Sequence, residues 1–189
     1  KQTLRNLDSK VFCIIGDGYG CLGSMIKKTF PKAKVIYINL GRTLFFDLYY
    51  SQKIFPNLKH NIIKNSKDKF SKDFNYIEAE KINLLNIKAD IFINIVSMQE
   101  MDYEVINSYF DIFRNQINET WFYCCNRKSK TLPDGKIINF DRYPWSSSDE
   151  ILFEELCPWN QEFPQNRPPF IHKLAPHVHK LIKVSQNCM

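Results

Sequence analysis

Val11-Phe-Cys-Ile-Ile-Gly-Asp-Gly-Tyr-Gly-Cys-Leu-Gly23 is the stretch that decides how this chain is read. Its first five residues are a continuous apolar run. That is the pattern of a strand buried on both faces, as in a parallel sheet. The chain holds only 6 glycines, and four of them fall between positions 16 and 23. From Cys21 to Phe30 the apolar residues take helical spacing, with Leu22, Met25, Ile26 and Phe30 on one side, and Pro31 stops the run. The segment therefore reads as strand, glycine turn, helix. Glycines at such a turn permit positive φ and close backbone approach, and the helix start offers unpaired N–H groups to a ligand.

Working outward, the same alternation recurs. Lys34 to Asn39 is a second strand, and Thr43 to Phe55 an apolar helix (Leu44, Phe45, Leu48, Tyr49, Ile54) closed by Pro56. Phe74 to Ile77 is a short third strand and Asp90 to Val96 a fourth. Tyr103 to Asn115 is helical through Val105, Ile106, Tyr109, Phe110 and Phe113, and Trp121 to Cys125 is a fifth strand. Strands that alternate with helices need crossover connections. The spacing predicts an α/β fold: a doubly wound, mainly parallel sheet with helices on both faces. A late strand, His177 to Val184, is expected to run antiparallel near the C-terminus. Seven of the 9 prolines lie beyond residue 126. Residues 127–176 are accordingly expected to form a loop-rich lid or substrate-side elaboration on a single domain spanning 1–189.

Composition bounds the function. With 44% apolar and 24% charged residues in 189, the chain is of ordinary globular make-up and not disordered. No apolar run reaches the roughly 18 residues of a membrane span. The opening lacks the apolar core of a secretory leader, and the expected location is cytoplasmic. It also lacks an initiator Met, as a piece of a longer chain would. The net charge of +6 is spread out except at Lys59, His60, Lys64, Lys67, Lys69 and Lys72. We read that run as a solvated loop and expect no nucleic-acid partner. None of the 6 cysteines forms a C-x-x-C pair, so no metal site is expected and reduced thiols are.

The glycine turn admits two ligand classes. Gly18-x-Gly20-x-x-Gly23 matches the dinucleotide pattern, in which a diphosphate rests on the helix and an acid at the end of the second strand meets the ribose. That strand ends here in Asn39. Gly16-Asp17-Gly18-Tyr19-Gly20, starting directly after the strand, suits a nucleoside without phosphates. Asn39 can still hydrogen-bond ribose hydroxyls. The turn alone leaves both open.

Several distant segments resemble one family, the sugar O-methyltransferases, a branch of the class I S-adenosylmethionine-dependent methyltransferases with a Rossmann-like fold. They are Ile15-Gly-Asp-Gly-Tyr-Gly20; Tyr37-Ile-Asn-Leu40 with the helix ending Ile54-Phe-Pro56; Asn94-Ile-Val-Ser-Met-Gln-Glu-Met101 with Tyr109-Phe110; Phe122-Tyr-Cys-Cys-Asn-Arg127; and Tyr143-Pro-Trp145. The likeness covers residues 11 to about 160. It implies S-adenosyl-L-methionine as cofactor, held by Gly16, Asp17, Gly18, Tyr19, Gly20, Asn39, Leu40, Ser97 and Met98. Two positions depart from the usual pattern: the acid two residues before the first loop glycine is Ile14, and the acid after the second strand is Asn39.

The implied reaction is methyl transfer to a hydroxyl of a sugar, nucleotide-sugar or glycan acceptor. An alcohol is a poor nucleophile, so a base is expected beyond the fourth strand. Glu100 is the first candidate and Asp102 the second. Tyr123, Asn126 and Arg127 leave the fifth strand with groups suited to sugar hydroxyls or a phosphate. Tyr143 and Trp145 are candidates for stacking on a sugar face. His172, His177 and His179 cluster late and read as strand-face histidines. A homo-oligomer is compatible with this reading. The alternatives are an NAD(P)-dependent oxidoreductase built on Gly18-x-Gly20-x-x-Gly23 and a binding domain that has lost catalysis.

Overall fold

The structure is a computed structural model that describes residues 7–84, 86–159, 162–164, 168, 171–173 and 176–186. Its elements are β1 (Val11–Ile15), α1 (Cys21–Thr29), β2 (Lys34–Asn39), α2 (Gly41–Ile54), β3 (His60–Ile63), β4 (Phe74–Glu78), β5 (Ile91–Ile95) and α3 (Tyr103–Arg114). There follow β6 (Trp121–Arg127), β7 (Ser129–Thr131), β8 (Ile137–Asn139), β9 (Glu150–Leu156), β10 (Glu162–Pro164), β11 (Ile171–Lys173) and β12 (His177–Lys183). Eight strands form one sheet in the order β3-β4-β2-β1-β5-β6-β12-β9, and β7-β8 and β10-β11 are separate hairpins. The architecture is the mainly parallel, Rossmann-like α/β sheet expected, with antiparallel strands toward the C-terminus. The chain divides into two compact units, Lys1–Ile93 with Asn118–Thr120, and Asn94–Ile117 with Trp121–Met189.

In the first unit β1, β2, β4 and β3 run parallel, with Val11 beside Lys34 and Val35 beside Phe74. The apolar runs of β1, β2 and β4 are buried almost throughout, which is why they lack alternation. Tyr37 stacks between Tyr76 and Phe74 at ring distances of 5.3 and 6.1 Å. Asp90 anchors the start of β1, accepting from Val11 N at 2.8 Å and Lys10 Nζ at 2.9 Å. Lys27 and Asp73 form a buried ion pair at 2.8 Å, and Lys27 Nζ also donates to the Ala33 carbonyl.

Both helices of this unit turn differently from the sequence expectation. On α1 the buried residues are Gly23, Ser24, Ile26 and Lys27, while Met25 is exposed. A Cβ on Gly23 would lie 2.5–2.6 Å from ring atoms of Tyr37, so the helix rests on β2 through a residue with no side chain. On α2 the buried residues are Leu44, Asp47 and Ser51, and the aromatic side chains point outward. The predicted basic loop contributes His60–Ile63 as edge strand β3. Lys64, Lys67, Lys69 and Lys72 are exposed.

In the second unit α3 lays Phe110 and Phe113 on Phe122 of β6, at 5.4 and 4.5 Å between rings. Its last residue, Arg114, grips Asp149 in a two-pronged ion pair of 2.8 and 3.1 Å and also donates to the Pro144 and Ser185 carbonyls. Strand β12 pairs antiparallel with both β6 and β9. The segment expected to be loop-rich thus supplies a seven-residue sheet strand, β9. Its glutamates are exposed and bridge across the register, Glu154 to Lys180 at 2.8 Å and Glu155 to His179 at 3.4 Å. Read alone, that stretch shows no buried face.

Candidate functional site

The glycine turn takes its shape from what each glycine meets. Gly16, Gly18 and Gly20 all have positive φ, at 78°, 84° and 65°, the region open to glycine at little cost. Gly16 N donates to the Ile38 carbonyl at 2.9 Å, pinning the exit of β1 to β2. A Cβ on Gly20 would lie 2.8 Å from the Asp47 backbone oxygen, whereas one on Gly18 would meet nothing within 4 Å. The open side of the turn is therefore at Gly18, and Gly20 spends its freedom on helix α2.

Asp17 folds back over the start of α1. Its two oxygens accept from Leu22 N at 3.2 Å and Gly23 N at 2.9 Å. The unpaired N–H groups that a helix start would offer to an external anion are thus partly taken by an internal one. Burial raises the Asp17 pKa, and the N–H bonds from Gly23, Leu22 and Cys21 oppose that rise.

A second acid that sequence reasoning passed over sits beneath the turn. Asp47 is fully buried, accepting from Gly20 N at 2.8 Å with one oxygen and from Asn39 Nδ2 at 2.9 Å with the other. Burial pushes its pKa up to about 6; the Asn39 bond opposes this, the Asp17 charge adds to it, and the Gly20 bond opposes it. Asn39 ends β2, and its side-chain oxygen accepts from Leu40 N at 3.0 Å. Asn39 thus ties the end of β2 to the start of α2 and to the turn. The signal for Asp47 was present: Leu44, Asp47 and Ser51 are spaced three and four apart, one helical face. An aromatic-rich helix hid it.

Of the cofactor-side candidates, Gly16, Asp17, Gly18, Gly20 and Asn39 come together in the first unit, joined by Asp47. Leu40 is exposed beside Asn39. The Tyr19 ring lies outward, 5.8 Å from those of Phe46 and Tyr50.

In the second unit, side-chain amides build the turn that leaves β5. Asn94 Oδ1 accepts from Met98 N at 3.2 Å and Asn126 Nδ2 at 2.8 Å, and Asn94 Nδ2 donates to Ser97 Oγ. Asn126 Oδ1 accepts from Gln99 N at 3.1 Å, and Gln99 Oε1 accepts from Arg127 N at 2.8 Å. Val96, inside this turn, has φ 63°, an unfavourable value for a β-branched residue, held by its N–H bond to Cys125 O at 2.8 Å. Backbone strain of this kind gathers at functional sites. Ser97 is half-buried, and Met98 is fully buried in the core.

Glu100 and Asp102 lie just beyond. Glu100 is about half exposed and pairs with Lys130 of β7 at 3.1 Å; Asp102 precedes α3 and pairs with Lys136 at 2.8 Å. Asn126 is buried within the amide network, while Arg127 is half-buried and its Nε has no partner among the described residues. Tyr123 Oη lies 3.2 Å from His179 Nδ1. Tyr143 and Trp145 are not brought to these residues. They pack with Phe140, and Trp145 also meets Phe110 edge-on, stacks against Phe122 and carries Lys180 over its ring at 4.5 Å. His177 is buried on β12; for His172, on β11, only the backbone lies among the described features. Among the described residues no cluster of three metal-ligating side chains occurs, and Cys13, Cys21 and Cys124 are free thiols.

No family model matches this chain, and no curated protein does. Solved structures do. A Thermoplasma acidophilum protein matches with a TM-score of 0.57 at 12% identity, over 95% of this chain and 81% of that one. PigF, solved with SAH, matches with a TM-score of 0.52 at 12% identity, over 95% of this chain and 52% of that one. The pyocyanin biosynthetic protein PhzM matches with a TM-score of 0.50 at 12% identity, over 66% of this chain and 34% of that one. The chain shares with them a Rossmann-like α/β fold. It spans about a third of the length of PhzM and about half that of PigF. At these identities the likeness is one of fold.

Proposed function

We propose that the chain is an S-adenosylmethionine-dependent methyltransferase that uses the glycine turn to hold its cofactor and acts on a hydroxyl of a sugar or glycoconjugate. The observation that carries the cofactor reading is Asp17. Its carboxylate already sits on the first N–H groups of α1, with the carboxylate of Asp47 beneath the same turn. A dinucleotide would bring its diphosphate to that helix start, against a fixed like charge. A nucleoside carrying a sulfonium and an ammonium is suited to it. The oxidoreductase reading is disfavoured on this ground, although Gly18-x-Gly20-x-x-Gly23 spells its motif. PigF, which shares the fold, was solved with SAH, and that agrees with the reading.

When bound, S-adenosylmethionine supplies a methyl group activated for displacement. In this reading Gly16, Gly18 and Gly20 let the backbone approach the nucleoside, and Asp47 with Asn39 keeps the turn in shape. Glu100 accepts the proton of the attacking hydroxyl, with Asp102 the second candidate. Arg127 offers its unpaired Nε–H to an acceptor oxygen or phosphate. The sugar class rests on the sequence resemblance through Ser97-Met-Gln-Glu-Met101 and Tyr123-Cys-Cys-Asn-Arg127.

Calorimetry on the folded chain with S-adenosylhomocysteine, NAD(P) and ADP tests the cofactor. Heat with S-adenosylhomocysteine alone is expected; heat with NAD(P) alone would end the proposal. Silence with all three would favour the binding-domain reading. With an acceptor in hand, Glu100→Gln should lower turnover by about 10²–10⁴-fold, the usual weight of a general base.

A further inference from the structure

Helix α2 is built inside out. Its buried side holds Leu44, Asp47 and Ser51, with Ser51 Oγ bonded to Tyr76 Oη at 2.6 Å. Its outer side holds Phe45, Phe46, Tyr49, Tyr50 and Ile54, and Tyr19 joins them from the glycine turn. These six side chains are between 39% and 60% exposed. They touch one another: Phe45 lies 6.3 Å from Tyr49, and Tyr19 lies 5.8 Å from both Phe46 and Tyr50. Scattered exposed apolar residues are ordinary, but a contiguous row of rings along a helix of about 21 Å is a surface that something covers.

The charges on this face say what. Arg42 and Lys53 are exposed on α2, Lys53 reaching over the Tyr49 ring at 5.7 Å, and Lys28 lies exposed on α1 beside Met25. The only acid in α2, Asp47, is buried, and α1 has none. The face is thus aromatic and cationic with no anion on either helix. A twofold contact with a second copy would set these cations against themselves, and the carboxylate at the start of α2, Glu78 beside Gly41, is already paired with Lys81. A bilayer interface takes rings of any arrangement, favours tyrosine at the headgroup level, and supplies negative charge where its lipids are acidic.

We propose that the outer face of α2, with Tyr19 and Met25, docks on the surface of a membrane bearing anionic lipids. The chain would lie on such a surface, since no helix among the described residues is long and apolar enough to cross it. The proposal is independent of the methyl-transfer reading, because it concerns residues outside the cofactor-side contacts apart from Tyr19.

The test is flotation of the full chain with vesicles of phosphatidylcholine alone and of phosphatidylcholine with phosphatidylserine. Binding is expected to the mixed vesicles and to weaken at high salt. Each interfacial cation contributes about fivefold, so Arg42→Gln with Lys53→Gln should lower partitioning by roughly thirtyfold. Phe45→Ser with Tyr49→Ser should abolish it. All four side chains are exposed, so melting temperatures should hold; if the aromatic variant does not fold, the charge variant decides alone. Equal binding to both vesicle types would overturn the proposal, as would binding that neither variant changes. So would failure to bind vesicles, whether the chain instead dimerises through Phe45 and Tyr49, binds an acidic polypeptide, or does neither.

Discussion

Asp47 makes the sharpest prediction, because it is a buried acid whose charge the fold tolerates only at a cost. Its pKa rises from 3.8 to about 6. A raised acid is bound more tightly to its proton in the folded state than in the unfolded one. Below pH 3.8 the group is neutral in both states and costs nothing. As pH rises through about 6 it ionises in the fold, and the penalty becomes complete. A shift of about two units corresponds to roughly 3 kcal/mol. Asp47→Asn does not titrate. It also leaves an amide facing the Asn39 amide, which adds a constant offset. The offset drops out of a comparison between pH values. Urea unfolding of both proteins, followed by tryptophan fluorescence, should therefore show the variant gaining roughly 2 kcal/mol on the wild type between pH 4 and pH 7, because part of the penalty is already present at pH 4. A difference that stays constant within about 1 kcal/mol, or moves the other way, would refute the account of Asp47 as a penalised charge beneath the turn.

The other predictions concern elements that hold the turn and the second unit in place. Lys27→Met leaves Asp73 buried without its cation and should cost about 3–5 kcal/mol in urea unfolding; pairing it with Asp73→Leu should recover much of that loss. Gly23→Ala drives a methyl into the Tyr37 ring and should cost about 1–3 kcal/mol and weaken S-adenosylhomocysteine binding, read by denaturation and calorimetry. For Asp149, burial would raise the pKa, but the Arg114 bonds and the N–H groups of Ser146 and Ser185 carry it down to about 2. Its stabilisation, roughly 2 kcal/mol, is present above pH 3.8 and lost as pH falls through about 2. Asp149→Asn should lose this at neutral pH and show a flatter acid limb in a pH-dependent melt.

The candidate site was legible in part. The glycine turn and Asn39 stood out because glycine-rich bends and strand ends are local features. Asp47 did not, because its partners lie 27 and 8 residues away and meet it only when α2 packs on the turn. Asn94, Gln99 and Asn126 lie within recognisable motifs, yet the bonds of their amide network run from β5 and the turn after it to β6, and no spacing announces them. Tyr143 and Trp145 were read as sugar-stacking residues because aromatic side chains suit both a core and a binding face. Their contacts with Phe110, Phe122 and Phe140 are ones that no local spacing shows.

What the residues determined by themselves is the alternation of strand and helix. Buried parallel strands are continuous apolar runs, helices between them have their own period, and glycine and proline mark the breaks; each is a property of a few adjacent residues. What only the tertiary structure decided is which way each element faces and what it joins. Helix α2 buries Asp47 and Ser51 and exposes its aromatic side chains, because a polar face that finds hydrogen-bond partners inside can displace an apolar one. Strand β9 exists because β12 offers it a backbone edge, with Lys180 meeting Glu154 across the pair. Such choices depend on partners far along the chain, and no local pattern holds that information.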